Sequence, residues 1–254
     1  MLLFISCAKT MTGRQPRTDI PFTTTPCFKT EAEKNAMGMS QFSSEELSRA
    51  LRINTKLTAE NYLRYQNFFS PDTPSLPALL AYTGMVFKRI AAASFTPDDF
   101  AYAQTHLLIS SFLYGLLRPL DLIHPYRLEG DVRLPEHDGT MFDYWKPILT
   151  DLFIEAIRKQ GGILVNLASA EMKDLFHWKQ VTESVRVITP EFLVMKDGKP
   201  KSVTVYAKMC RGEMTRFLLK NRIENPDRLQ AFEWEGFTFC PEAGTQDHPV
   251  FVLG

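Results

Sequence analysis

The chain has 254 residues, enough for one large domain or two small ones. Hydrophobic residues make up 44% and charged residues 23%, proportions that exclude a disordered tail, a collagen-like repeat and a coiled coil. Lys+Arg and Asp+Glu both number 29, so a bulk polycation is excluded; binding to nucleic acid or an anionic membrane requires local clustering of charge.

Leu2 to Ser6 is predicted to be a buried first strand. The apolar N-terminus from Met1 is too short for a secretory signal, lacks a preceding basic region, and is interrupted by Lys9. No stretch approaches the ~20 apolar residues of a bilayer span. Thr10 to Pro26 is polar and Pro-rich, a predicted loop. Ser43-Ser44-Glu45-Glu46 has the spacing of a capping box ahead of Leu47, Ala50 and Leu51. A second helix is expected after Thr58, with Tyr62, Tyr65, Phe68 and Phe69 near one face. Pro71, Pro74 and Pro77 predict a loop, Ala78 to Tyr82 a short strand, and Val86 to Ala93 a helix. Thr96-Pro97-Asp98-Asp99 marks another helix start.

Leu107 to Ser111 is an expected buried strand. Met141 to Gln160 is a long amphipathic helix stopped by Gly161-Gly162. Ile163 to Leu167 has strand length, and Ser169 is placed to cap a helix beginning at Ala170. Val185 to Met195 and Lys201 to Met209 flank Asp197-Gly198, the strongest hairpin signal in the chain. Arg211 to Ile223 is expected to be helical, closed by Asn225-Pro226. Interleaved strands and helices with an antiparallel hairpin predict a single mixed α/β domain, residues 1–254, with no internal boundary.

Four segments offer chemistry. Ser6-Cys7-Ala8-Lys9-Thr10 leaves a buried strand at what would be a sheet's carboxyl edge. Lys9 there either holds a phosphate or carboxylate, with Ser6 donating, or simply ends the strand. It is not a P-loop, since the glycines are absent. Arg118-Pro119-Leu120-Asp121 with Tyr126-Arg127 either presents guanidiniums to an anion or uses Asp121 to fix its own loop. Asn166 and Ser169, with Glu171 close behind, stand at a strand-to-helix junction that binds an anion, caps the helix, or does both. Lys196 to Arg222 holds eight basic residues against Asp197 and Glu213. Lys208, Arg211 and Arg216 lie within it, on either a phosphate-tracking surface or a solvated hairpin and helix.

The four cysteines, Cys7, Cys27, Cys210 and Cys240, are scattered, without a Cys-x-x-Cys pair or a histidine at zinc-finger spacing. That pattern fits a reducing, cytoplasmic home and argues against structural zinc. The five histidines show no ligand spacing. No metal and no cofactor is expected.

Several long ordered motifs resemble the YaaA family of bacterial peroxide stress proteins. They include Ile5-Ser6-Cys7-Ala8-Lys9-Thr10, Leu113 to Leu122 and Pro125-Tyr126-Arg127-Leu128. Further on come Asn166-Leu167-Ala168-Ser169 with Glu171, Tyr206-Ala207-Lys208 with Arg211-Gly212 and Met214, and Arg216-Phe217 with Asn221-Arg222. The resemblance implies a cytoplasmic protein of the hydrogen-peroxide response that limits iron-linked damage. It also implies a compact α/β fold with flanking helices, a positively charged cleft, and a helix-hairpin-helix-like element that binds duplex DNA. By position it makes Lys9, Arg118, Arg127, Lys208 and Arg211 cleft candidates, joined by Arg216 from the basic stretch, with Ser6, Asn166, Ser169 and Glu171 as polar partners. The chain departs from the family pattern at Cys7, Phe112 and Met172, where Pro, Gly and Tyr are usual. Met209-Cys210 also stands where a further Lys and a small residue are usual. The turns at Gly84 and Gly115 are both eligible for the helix-hairpin-helix element.

Two readings follow. In one the protein is a non-enzymatic binder of double-stranded DNA, mostly through phosphates, with no membrane and no obligate protein partner. In the other, Ser6, Lys9, Arg118, Asn166, Ser169 and Glu171 form a pocket for chemistry on a nucleotide or base, with Glu171 as general acid or base. A closed hollow or an open basic groove distinguishes them.

Overall fold

The computed structural model describes every residue except Gln15, Pro16 and Asp197. Eleven strands are described: β1 (Leu2–Ile5), β2 (Leu76–Pro77), β3 (Leu107–Ser111), β4 (Gly115–Leu117), β5 (Leu122–Ile123), β6 (Ile163–Asn166), β7 (Arg186–Ile188), β8 (Glu191–Lys196), β9 (Lys199–Lys201), β10 (Phe237–Phe239) and β11 (Val250–Leu253). The described helices are α1 (Lys29–Ser40), α2 (Ser44–Leu51), α3 (Thr55–Gln66), α4 (Ala78–Ala81), α5 (Met85–Ile90), α6 (Pro97–His106), α7 (Met141–Lys159), α8 (Trp178–Ser184) and α9 (Thr204–Lys220).

The central sheet runs β4-β3-β1-β6-β7, parallel except for β4, which returns antiparallel against β3. Strand β1 is its middle: Leu3 pairs with Leu107 on one side and Val165 on the other. Phe4 meets the rings of Phe153 on α7 at 5.0 Å and of Phe176 at 5.6 Å, so one face is packed by aromatics. Alternation sends Leu3 and Ile5 to the other face, and both are buried there too. Coverage on both faces is what a parallel sheet requires. A second sheet runs β10-β11-β8-β9, and β2 pairs with β5 in a short ribbon. Buried apolar residues from Met1 to Phe251 join into one core, giving a mixed α/β fold with flanking helices. Among the described residues no helix is long and apolar enough to cross a membrane.

Capping chemistry sets several boundaries. Reciprocal capping boxes start α2 at Ser43 and Glu46, α6 at Thr96 and Asp99, and α7 at Thr140 and Asp143. Other expectations change. Helix α3 begins at Thr55, because Asn54 caps it through Leu57 N–H, and it ends before Phe68 and Phe69. Phe68 is buried, whereas Phe69 is exposed. Ala78 to Tyr82 is not a strand: Ala78–Ala81 makes a helical turn, held as Tyr82 N–H bonds the Ala78 carbonyl. The segment read as Val185 to Met195 splits between the two sheets, as β7 and β8. Its hairpin partner is only Lys199–Lys201, since α9 starts at Thr204 rather than Arg211. Gly198 has φ +69° in that hairpin; Asp197 lies outside the described residues, as do Gln15 and Pro16 of the predicted loop.

The topology fixes where a site can form. After β1 the chain builds β3 on one flank, then crosses to build β6 on the other. Adjacent parallel strands whose connections depart in opposite directions leave a crevice at their carboxyl ends. Ser6 to Thr10 emerges into that crevice.

Candidate functional site

A hollow of about 370 Å³ opens at this crevice. Ser6 to Thr10 line it from the end of β1, Phe112 from beyond β3, and Leu167, Ser169 and Glu171 from beyond β6. Tyr126 to Glu129 supply another wall, Gly84 to Phe87 another, and Lys208 and Arg211 reach it from α9.

Ser169 does not take the capping role its position suggests. Ser169 precedes a 3₁₀ segment, Ala170–Leu175, but makes no side-chain cap. Its N–H instead donates to Ser6 Oγ at 2.8 Å, and the two hydroxyls lie 3.1 Å apart. The pair ties the end of β1 to the end of β6 and presents hydroxyls to the hollow.

Four cations surround the opening. Lys9 Nζ lies 2.7 Å from Glu129 Oε2, and an Arg127 terminal nitrogen lies 3.1 Å from Glu129 Oε1. The Arg127 side chain is only 13% exposed, and its Nε is buried without a hydrogen-bond partner among the described residues. Tyr65 holds that loop by donating to the Arg127 carbonyl at 2.6 Å. Among the described residues neither Lys208 nor Arg211 pairs with a carboxylate, and burial lowers the Arg211 pKa. With Glu129 and Glu171 the hollow holds four cations and two carboxylates, a formal excess of two positive charges. Burial raises the Glu171 pKa, and Glu129, Asp131 and Asp174 raise it further, while Lys9 opposes them.

Beneath the hollow lies a hydroxyl network. Tyr126 OH sits 2.7 Å from both Tyr82 OH and Ser111 Oγ, and burial holds both phenols in the neutral form. Burial also pushes the Cys7 thiol up to about 12. Phe112 and Met172 fill volume against this floor. The Met172 sulfur accepts from Ser110 Oγ at 3.0 Å, and the Trp145 indole N–H holds the Phe112 carbonyl at 2.8 Å.

The structure thus brings Lys9, Arg127, Lys208, Arg211, Ser6, Ser169 and Glu171 together and leaves Arg118, Arg216 and Asn166 outside the hollow's lining. Arg118 fixes its own loop: its terminal nitrogen and backbone N–H meet the buried Asp121 carboxylate at 3.1 and 2.8 Å, beside Thr24. Arg216 follows Arg211 by five positions, ~140° round the helix. It donates to the Ile90 carbonyl at 2.8 Å, at the end of α5. Asn166 is buried in β6, its side-chain oxygen accepting from Ala168 N–H. The rest of the basic stretch also divides: Lys220 pairs with Asp99, and Arg222 lies over Tyr102 at 5.0 Å.

Glu129 is no sequence candidate, and of the α5 wall the sequence singles out only the turn at Gly84. Glu129 follows Arg127 by two residues, and that adjacency is its sole sequence signal. Of the two turns eligible for a helix-hairpin-helix element, Gly84 lies between helices α4 and α5, whereas Gly115 starts β4 of a β-hairpin. Among the described residues no three His, Cys, Asp or Glu side chains gather as a metal site would require.

The fold and hollow define an α/β protein with a cationic site at the carboxyl edge of a mostly parallel sheet. A family model described as Peroxide stress protein YaaA matches residues 1–243, and the chain belongs to that family. It is 63% identical to a UPF0246 protein of Phocaeicola vulgatus over 254 residues, covering 100% of this chain and 99% of that one. A UPF0246 protein of Bacteroides fragilis is 59% identical, with 100% and 99% covered, and one of Porphyromonas gingivalis is 50% identical, with both chains fully covered.

Proposed function

We propose that the chain is a cytoplasmic duplex-DNA-binding protein of the hydrogen-peroxide response that limits iron-linked oxidative damage. The observation carrying this reading is the convergence of Lys9, Arg127, Lys208 and Arg211, from three separate segments of a net-neutral chain, on one opening. The membership in a peroxide stress family supports the physiological half. Lys208 and Arg211, which have no carboxylate partner among the described residues, make the phosphate contacts. Lys9 and Arg127, shared with Glu129, position the backbone more weakly. Cations on phosphates release the condensed counterions of the duplex. On this reading the displaced ions include ferrous iron, which links binding to protection from peroxide.

Filter binding to a short duplex across a salt series tests this. Affinity falls as salt rises, and Lys208→Ala and Arg211→Ala each weaken it and reduce the log–log slope by about 1. Salt-independent retention, or unchanged affinity in both variants, removes the reading.

A further inference from the structure

The hollow is more than a stretch of basic surface. It is concave, it is lined by apolar as well as charged side chains, and its volume lies within the ~300–1,000 Å³ range of small-molecule sites. A smooth phosphate track needs neither depth nor an apolar wall.

We infer that the hollow is a single-nucleotide site, which takes a nucleoside 5′-monophosphate or one unpaired nucleotide of a bound strand. Its charge sets the phosphate content. Four cations against Glu129 and Glu171 leave an excess of two, which matches the roughly −1.5 to −2 of one phosphomonoester. It equally matches the two phosphodiesters flanking one extruded residue. A triphosphate would exceed it. Arg211 lines the hollow half-buried and pairs with no carboxylate among the described residues, which leaves its guanidinium for the phosphate. Lys208, one helical turn earlier on α9, adds a second charge. Arg127 holds a buried Nε–H that lacks an acceptor among the described residues.

The remainder of the hollow selects what the phosphate is attached to. Met85, Val86, Leu128, Leu167 and Met172 give an apolar wall suited to a flat, weakly hydrated body. Carboxylates only accept hydrogen bonds when ionised, so Glu129 and Glu171 call for donors: base amino or imino groups, or sugar hydroxyls. The Ser6 and Ser169 hydroxyls, 3.1 Å apart, either donate or accept. A nucleotide joins an anion, a flat ring and N–H donors in one molecule, and a bare anion or a fatty acid does not. Bases that leave the stack are received in pockets of this kind. In its DNA form the inference rests on the reading above, and in its free-nucleotide form it stands alone.

Isothermal titration of the full chain with the four deoxynucleoside monophosphates, thymidine and inorganic phosphate tests it. At least one monophosphate binds at least ~10-fold tighter than both thymidine and inorganic phosphate, and Arg211→Ala weakens it ~10-fold or more. Circular dichroism checks that variant, and the exposed Lys208→Ala serves if it does not fold. A second arm compares an intact duplex with the same duplex carrying one unpaired nucleotide, which is expected to bind more tightly. Monophosphate binding without duplex binding keeps this inference and ends the DNA reading. Duplex binding with no preference for the unpaired nucleotide, and no monophosphate binding, does the reverse. Inorganic phosphate binding as tightly as every nucleotide overturns the inference, as do variants that leave monophosphate affinity unchanged.

Discussion

Lys9 Nζ lies 2.7 Å from Glu129 Oε2, which joins a 66% exposed lysine to a 12% exposed carboxylate across the mouth of the hollow. The same carboxylate reaches Arg127, so one acid restrains two of the four cations. Glu129 therefore both builds the site and lowers its charge. Glu129→Gln is expected to raise the excess from two to three and to tighten duplex DNA binding, with a steeper salt dependence. It also leaves the largely buried Arg127 guanidinium without its counter-ion, at a cost of about 1–3 kcal/mol in stability. Denaturant unfolding and filter binding on one preparation check both halves. Loss of affinity at unchanged stability would contradict the restraining role.

Arg118 and Arg216 give the contrasting case. Arg118 is 45% exposed and holds Asp121, which Thr24 and the Arg118 N–H also hold, so Arg118→Ala is expected to cost only about 0–1 kcal/mol. Arg216 clasps the end of α5 through the Ile90 carbonyl and covers Phe95 at 5.7 Å. Arg216→Ala loses that hydrogen bond and packing, at about 1 kcal/mol. Neither variant alters the salt slope of DNA binding. A slope reduced as far as in Arg211→Ala would return these arginines to the binding surface.

That contrast shows what the sequence can carry. Ser43, Thr96 and Thr140 sit three residues before an acid, and each starts a helix where the local spacing says. Helix α1 was silent because Phe28 offers no cap and its buried side is Ala32, Asn35, Ala36 and Met39, hardly an apolar stripe. Ala78 to Tyr82 has the apolar run of a strand, yet backbone bonding closes it into a turn of helix. At the site, Ser6, Lys9, Ser169 and Glu171 were legible because they follow strands. Arg118 was ambiguous because only three-dimensional burial decides that Asp121 claims it. Glu129 belongs to no motif, and only folding brings it to Lys9.

Cys7 and Cys210 are unlike peroxide-sensing thiols. Burial pushes the thiols of Cys7 and Cys210 up to about 12, so neither carries appreciable thiolate at neutral pH. Cys27 is exposed, by contrast. After brief hydrogen peroxide with a sulfenic-acid trap, mass spectrometry is expected to find label at Cys27 and none at Cys7 or Cys210 in folded protein. Prompt labelling of Cys7, which lines the hollow, would contradict its raised thiol and would tie oxidation to binding.

Glu171 is expected to make anion binding pH-dependent. Its carboxyl sits above the ordinary value through burial and the neighbouring Glu129, Asp131 and Asp174, with Lys9 opposing. The folded state therefore keeps this proton to higher pH than the unfolded chain. Its stabilising contribution is complete below the unfolded value, about 4.3, and is lost as pH rises through the folded one. Protonation removes a negative charge from the hollow, so DNA affinity is expected to rise as pH falls from 7 towards 5. Glu171→Gln flattens that rise and binds more tightly at pH 7. Parallel pH profiles for the two proteins would refute the assignment.

Gly212 sets how closely α9 approaches α5, and through that the height of Lys208 and Arg211 above the hollow. A β-carbon at Gly212 would fall 2.4 Å from the Val86 carbonyl oxygen and 2.6 Å from Arg89 Cβ, so backbone must move to admit it. Val86 itself lines the hollow, and the displaced helix carries Lys208 and Arg211, the two lining cations without a carboxylate partner among the described residues. Gly212→Ala is expected to destabilise by about 1–3 kcal/mol, as overpacked contacts do. The cation that binds should suffer as well. Affinity for DNA falls even where circular dichroism shows a folded chain, and the loss resembles that of Arg211→Ala in its reduced salt slope. Combining the two substitutions then gives less than the sum of their effects, because both act on one side chain's reach. Full additivity would place Gly212 in packing alone.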